Sequence, residues 1–466
     1  MSRPHRSLIR RGGAVVALAV GVVAAAAPFV TAAAAEDGGI RVVQIQGLLD
    51  APNASLLRST IAQANDARSA LLVLQIDSNG ALDVDVTPIL DDIRASEVPI
   101  AVWVGPSGAD ASGAVTLVAQ AAHVVSVSQG SGIGSAYPAQ LDRPAAVSEA
   151  DLADDLADLA EERGRDPDGA RELADRRLSG TDAREVGAID RVDPIVGELI
   201  VSLDGQSVVT ASGEVTLSTA TVVGEGLDRR REPNQEVLFE RLGLRDQLLH
   251  TLISPSIAYL LFVVGLALIV FEFFTASIGL AGATGAVSLV GASIGFGHLP
   301  VHWWAIALLI VSMLAFAIDA QASAGAGPWT VMGLIALVVG SVTLYGGSSR
   351  LDPPWWVLLV VIVGTGLFMT AALSAMTRAR FSTPTVGREG LIGTLATVEV
   401  DVAPDGVVLI AGSRWRARTN RATPIAAGAH ARIVAVEGLV LEVEPEEGGA
   451  RDYRERGRRR PPKKPG

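Results

Sequence analysis

From Ile253 to Met376 the sequence is dominated by five apolar stretches, Ile253–Phe271, Ala276–Gly297, Trp303–Ile318, Trp329–Gly346 and Trp355–Ala375. Each approaches the ~20 apolar residues that cross a bilayer. A backbone in hydrocarbon must close its own hydrogen bonds, so this block is expected as about five helical spans over 251–377. Tryptophans 303, 304, 329, 355 and 356 fall at the stretch ends, where an aromatic belt belongs. The first pair of stretches resembles the second as a weak tandem repeat, with Glu272 and Asp319 each closing the leading helix. These carboxylates read either as intramembrane functional groups or as side chains reaching the interface. Overall the 466 residues are 49% hydrophobic and 19% charged, too apolar for a soluble protein and too charged for a wholly embedded one. Soluble units tethered to a membrane block are implied.

The N-terminus has a charged start (Arg3, Arg6, Arg10, Arg11), an apolar run from Gly12 to Ala27 and small residues up to Ala35. This is the pattern of an export signal over 1–35, the alternative being an uncleaved anchor. Over 36–228, β-branched runs (Val42–Ile45, Leu71–Ile76, Ile100–Val104, Val124–Val127) alternate with segments of helical period, which predicts a parallel sheet with crossover helices. Residues 229–250 read as an amphipathic helix at the membrane surface, or as a packing helix of the preceding domain. Short alternating runs between 386 and 445 predict a small five-stranded barrel of the OB type. The Gly/Arg/Pro-rich tail, 446–466, reads as disordered and basic. An exported first domain followed by five spans leaves the C-terminus in the cytoplasm, in line with Arg378, Arg380, Arg388 and the basic tail.

The chain has no cysteine, which removes disulfides, a thiol nucleophile and Cys-ligated metal sites. Its lysines are Lys463 and Lys464 alone. The net charge of −12 argues against nucleic acid as a partner. His298 and His302 flank Pro300 without a third ligand in view, so no metal and no cofactor is expected.

The segments Ser254–Leu261, Phe271–Phe274, Gly279–Gly282, Val386–Gly390 and Ser413–Ala417, in this order, resemble the long-form NfeD family of membrane proteins. The segment Leu178–Asp190 is similar to one of ClpP-class serine proteases. The resemblance implies an α/β ClpP/crotonase-like extracytoplasmic domain, an all-α transmembrane block in a bacterial cell membrane and a small all-β OB-type barrel in the cytoplasm. It also implies stomatin- or prohibitin-type membrane partners, and in proteolytic members a Ser nucleophile, a Lys base and an oxyanion hole beside a Gly-Gly turn.

Laid on this chain, the turn becomes Asp77-Ser78-Asn79-Gly80-Ala81, keeping Gly80 and placing Ala81 where a second glycine is usual. The nucleophile position carries Gly113, with Ser112 adjacent. On a helix one residue rotates a side chain by about 100°, so Ser112 is expected to point elsewhere. The lysine position falls near Val147, and arginine cannot replace the base because it stays protonated. An alternative site pairs Ser112 with His123 and Asp110 or Asp77; the plainer account is a strand-start histidine satisfied by backbone. Two readings follow. One is a scaffold or adaptor with a degenerate protease-like domain, acting in membrane organisation or protein quality control, with a peptide at the ClpP-like groove, a homo-oligomeric state and no nucleic acid. The other is an active membrane-bound serine protease using Ser112/His123.

Overall fold

The structure, a computed structural model, describes residues 38–224, 229–274, 279–322, 327–372, 388–419 and 423–446. The export segment and the basic tail beyond 446 lie outside the described residues. The chain divides into two compact units, 1–377 and 378–466.

The first unit opens with an α/β domain. Strand β1 (Ile40–Leu49) leads through helix α1 (Ala51–Asp66) to β2 (Leu71–Ala81), helix α2 (Thr87–Arg94) and β3 (Ile100–Val104). Then come β4 (Asp110–Ala111), helix α3 (Val115–Ala121), β5 (Val124–Val127) and β6 (Gly132–Ile133). Pairing is parallel from β1 to β2, β2 to β3, β3 to β5, β2 to β4 and β4 to β6. Sheets of this kind are covered on both faces, so their strands carry continuous apolar runs. Alternate residues divide accordingly: Val43, Ile45, Leu72, Leu74 and Ile76 face the helices α1 to α3, whereas Ile40, Val42, Leu71, Val73 and Trp103 face the helix Val196–Ser202. Strand β2 is longer than its neighbours and forks. Its first part pairs with β3, and Ser78 near its end pairs with Ala111 of β4. The fork creates the cleft considered below.

The helix expected over 229–250 is largely absent. Arg230–Pro233 and Val237–Glu240 are strands, the latter extending the sheet beside β1, and the helix runs only over Leu244–Ile253. The apolar residues Val237 and Leu238, read from their spacing as part of a helical face, belong to a parallel edge strand.

Among the described residues, three helices are long and apolar enough to cross a membrane: Pro255–Phe274, Leu280–His298 and Trp303–Gln321. Pro328–Val342 and Trp355–Ala371 are shorter apolar helices. The first four of these helices form two hairpins of the same design. The Glu272 carboxylate accepts from the amides of Gly279 and Gly282 at 3.0 and 3.1 Å. Asp319 likewise accepts from Gly327 and Thr330 at 3.0 and 2.5 Å. Each carboxylate thus caps the start of the next helix, where unsatisfied amides and the helix dipole favour a negative group. The tandem repeat in the sequence is this repeated cap. Glycine permits the close crossing: a Cβ at Gly285 would lie 2.7 Å from the Gly265 carbonyl oxygen, and one at Gly333 3.0 Å from that of Ser312.

The second unit is a closed barrel of five strands in the spatial order first, second, third, fifth, fourth. Leu395–Val400, Asp405–Ile410, Ser413–Thr419, His430–Glu437 and Val440–Pro445 pair antiparallel except third with fifth. Its core is Ala396, Val398, Val408, Ala417, Ile433 and Leu441. This is consistent with the OB type, as expected.

Gly285→Val should cost about 1–3 kcal/mol by overpacking the first hairpin, read as a lower unfolding midpoint of the full chain in detergent. Gly297→Val, at a position with nothing within 4 Å, should leave the midpoint unchanged or raise it.

Candidate functional site

The cleft is built where β2 ends, where β4 passes into α3, and where the chain returns after β6. Gly80 sits at φ +142° and Gly113 at φ +62°, both in the region that favours glycine. The two backbones touch: a Cβ at Gly113 would stand 2.8 Å from Cα of Gly80 and 3.2 Å from the Ala139 carbonyl oxygen. A side chain at position 113 therefore meets backbone, which cannot rotate out of the way. Ala81 is fully buried, and its backbone pairs with Gln140 as an isolated parallel bridge.

The amides around the nucleophile position are already engaged. Gly113 N–H donates to the Ser135 carbonyl at 3.1 Å, and Ala114 N–H donates to the Ala139 carbonyl at 2.9 Å. On the opposite side of the same segment, Leu141 N–H donates to Ala81 O at 3.0 Å. The chain's own residues 135–141 thus lie along the cleft and take donors that an oxyanion hole would turn toward a substrate carbonyl.

Ser112, buried, donates its hydroxyl to the Gly134 carbonyl at 2.8 Å. His123 is also buried. Its Nδ1 accepts from the Ile100 amide at 3.1 Å, and its Nε2 has no hydrogen-bond partner among the described residues. Burial, reinforced by the Arg163 guanidinium, lowers its pKa to about 4, with Arg165 acting in the same direction. His123 lines a separate surface cavity with Arg163 and Asp190. The structure does not join Ser112 and His123 by a hydrogen bond. Of the suggested third members, Asp77 accepts from the Asp110 amide at 3.2 Å, and Asp110 pairs with Arg177. Val147 lines a cavity of about 360 Å³ with Ala114, Ala139 and Gln140, beside the cleft. His298 Nδ1 lies 3.6 Å from Asp83, and His302 Nδ1 lies 2.9 Å from the Thr343 carbonyl, so the two histidines have different partners.

Sequence reasoning missed the residues that join the cleft to the membrane block. Asp50 caps α1 by accepting from the Asn53 amide and also meets His250 Nδ1 at 2.6 Å. Arg350, between the last two apolar helices, reaches the cleft segment: one guanidinium nitrogen donates to the carbonyls of Ser135 and Tyr137 at 3.0 Å each and to Ser135 Oγ at 2.6 Å. A signal was available in the sequence, since Arg350 is a charged residue in the short loop between the apolar helices Pro328–Val342 and Trp355–Ala371.

The family comparison matches residues 256–374 to the NfeD integral membrane domain and residues 388–445 to the NfeD-like C-terminal, partner-binding domain. The chain is similar to the membrane-bound protease PH1510 of Pyrococcus horikoshii, 28% identical over 411 residues, 84% of this chain and 89% of that one. It is also similar to the membrane protein NfeD1b of Bacillus subtilis, 23% identical over 399 residues, 82% of this chain and 87% of that one. Among solved structures, a membrane protease specific for a stomatin homolog from Pyrococcus horikoshii is 22% identical and covers 46% of this chain and 97% of its own, with a TM-score of 0.37.

The buried, neutral His123 gives a pH signature. Its folded pKa lies below the usual imidazole value, so the unfolded chain binds the extra proton first. The fold carries no penalty from this group above about pH 6.5 and loses about 3 kcal/mol toward pH 4 as the unfolded imidazole takes up its proton. His123→Gln should flatten the acid limb of the unfolding midpoint measured between these pH values.

Proposed function

We propose that this long-form NfeD protein is a membrane scaffold or adaptor whose outer α/β domain keeps the architecture of a serine protease without its chemistry. The single observation that carries the reading is the contact of Gly113 with Gly80, together with the amides of Gly113 and Ala114 given to the chain's own carbonyls. A serine nucleophile needs a side chain, a base and free oxyanion donors. Position 113 supplies no side chain and Val147 no base. Ser112 donates to a carbonyl, and His123, with its lowered pKa, is a weak base at neutral pH. What remains is a cleft edged by backbone, suited to holding an extended peptide segment by strand addition.

The protein is read as a multi-pass protein of a bacterial cell membrane. An exported outer domain and five alternating helices would put the barrel in the cytoplasm. The matched C-terminal domain is described as partner-binding, and the similar Pyrococcus protease is described as specific for a stomatin homolog. A stomatin- or prohibitin-type membrane protein is accordingly the proposed partner, engaged in membrane organisation or protein quality control, with this chain itself in a homo-oligomer.

A serine-directed fluorophosphonate should leave the full-length protein unlabelled; labelling that disappears in Ser112→Ala would establish the protease reading instead. Gly113→Ser should not restore labelling and should destabilise the protein by about 1–3 kcal/mol, because the new Cβ meets backbone at positive φ. Crosslinking of the full-length protein in its native membrane followed by mass spectrometry should recover a stomatin-like protein. Recovery should fall when 387–466 are deleted, and unchanged recovery would remove the barrel from the interaction.

A further inference from the structure

The cleft segment is held from two sides by one loop of the membrane block. Ser348 N–H donates to the Leu141 carbonyl at 2.9 Å, and a Cβ at Gly347 would stand 2.4 Å from that same oxygen. Two residues on, Arg350 binds the Tyr137 carbonyl. Gly347–Arg350 therefore clasps the stretch from Tyr137 to Leu141 at both ends. That stretch occupies the cleft edge: Ala139 accepts from Ala114, Leu141 donates to Ala81, and Gln140 is bridged to Ala81 in parallel fashion. Upstream, Ala136 and Tyr137 donate to the carbonyls of Leu173 and Ala174, which anchor the start of the stretch independently of the cleft. Downstream it is tied by the Asp142 carboxylate to the Asp83 amide, at an exposed contact. Pro138–Leu141 is thus an edge piece between a fixed point and the clasp.

The clasp is not fully satisfied. Arg350 Nη1 is buried without a hydrogen-bond partner among the described residues, and a buried donor left unpaired opposes the closed arrangement. The clasp loop also continues into Leu351 and Asp352, which, with Asp50, His250 and Ser254, line a cavity of about 280 Å³ at the junction. A loop next to such a space has room to shift.

We propose that Pro138–Leu141 is a resident strand standing where an extended peptide would add, and that the loop Gly347–Arg350 controls its release. Movement of the last two membrane helices withdraws Ser348 and Arg350 and lets Pro138–Leu141 swing about Tyr137. The Ala114 amide and the Ala81 carbonyl then become a free edge for an incoming peptide backbone. The cavity lined by Ala114, Ala139 and Val147 lies beside that edge to receive a side chain. The ligand class is an unfolded or extended polypeptide recognised through its main chain; this step rests on the peptide-binding reading of the cleft given above.

The test uses the full chain in nanodiscs as wild type, Ser348→Pro, which deletes the amide that holds Leu141, and Arg350→Gln. Hydrogen exchange by mass spectrometry reads the amides of 112–116 and 139–142, with strand Leu72–Ile76 as the measure of intact folding. The binding probe is a fluorescein-labelled peptide with the sequence of residues 136–143. Both variants should speed exchange at 112–116 and 139–142 about tenfold, with the core strand still protected, and should bind the probe more tightly than wild type. Unchanged exchange at these amides in both variants, with the core strand protected, overturns the clasp. So does measurable probe binding of equal affinity in wild type and variants. Faster exchange without probe binding supports the clasp and removes the peptide reading of the cleft.

Discussion

Two stretches of backbone meet at Gly80 and Gly113 with no space for a side chain between them. Much of the α/β domain is arranged around that meeting. Strand β2 has to outrun its partner β3 and fork toward β4 to reach it, and α3 has to start directly after Gly113. The carbonyls of Ser135 and Ala139 then find the first free amides of that start. On the proposed reading, the close approach leaves no place for a nucleophile's side chain at position 113, and internal hydrogen bonds use the amides of Gly113 and Ala114.

The α/β domain and the membrane block share contacts that tie them into one compact unit. Leu82 and Leu141 of the domain pack in the same buried cluster as Tyr259, Phe296 and Leu344 of the block. Around this apolar patch stand Asp50 with His250, Asp83 with His298, and the Arg350 and Ser348 contacts to the cleft segment. Interiors of this density resist continuous deformation and move between discrete packings. On the proposed reading, a rearrangement of the last two helices is felt at the cleft through these contacts.

Much of this architecture was legible in the sequence. The β-branched runs at Val42–Ile45, Leu71–Ile76 and Ile100–Val104 are strands because a sheet buried on both faces demands unbroken apolar residues. The paired Glu272 and Asp319 were visible as a repeat, and capping gives the physical reason for it. The segment 229–250 misled because Val237, Leu238 and Leu242 satisfy a helical spacing by coincidence while an open sheet edge beside β1 takes the first two. Gly113 and Val147 were singled out by motif, whereas the engagement of 135–141 could not be anticipated. That contact depends on hydrogen bonds between backbones far apart in sequence, which leave no trace in residue type. Arg350 lay hidden for a related reason, since its partners are carbonyls rather than a complementary acid.

On the proposed reading, the α/β domain carries no hydrolytic centre. The most direct measurement incubates the full-length protein in nanodiscs with a diverse peptide library and follows cleavage by mass spectrometry, alongside Ser112→Ala. The account predicts the same peptide profile as buffer alone for both proteins. Cleavage by the wild type that Ser112→Ala abolishes would contradict it.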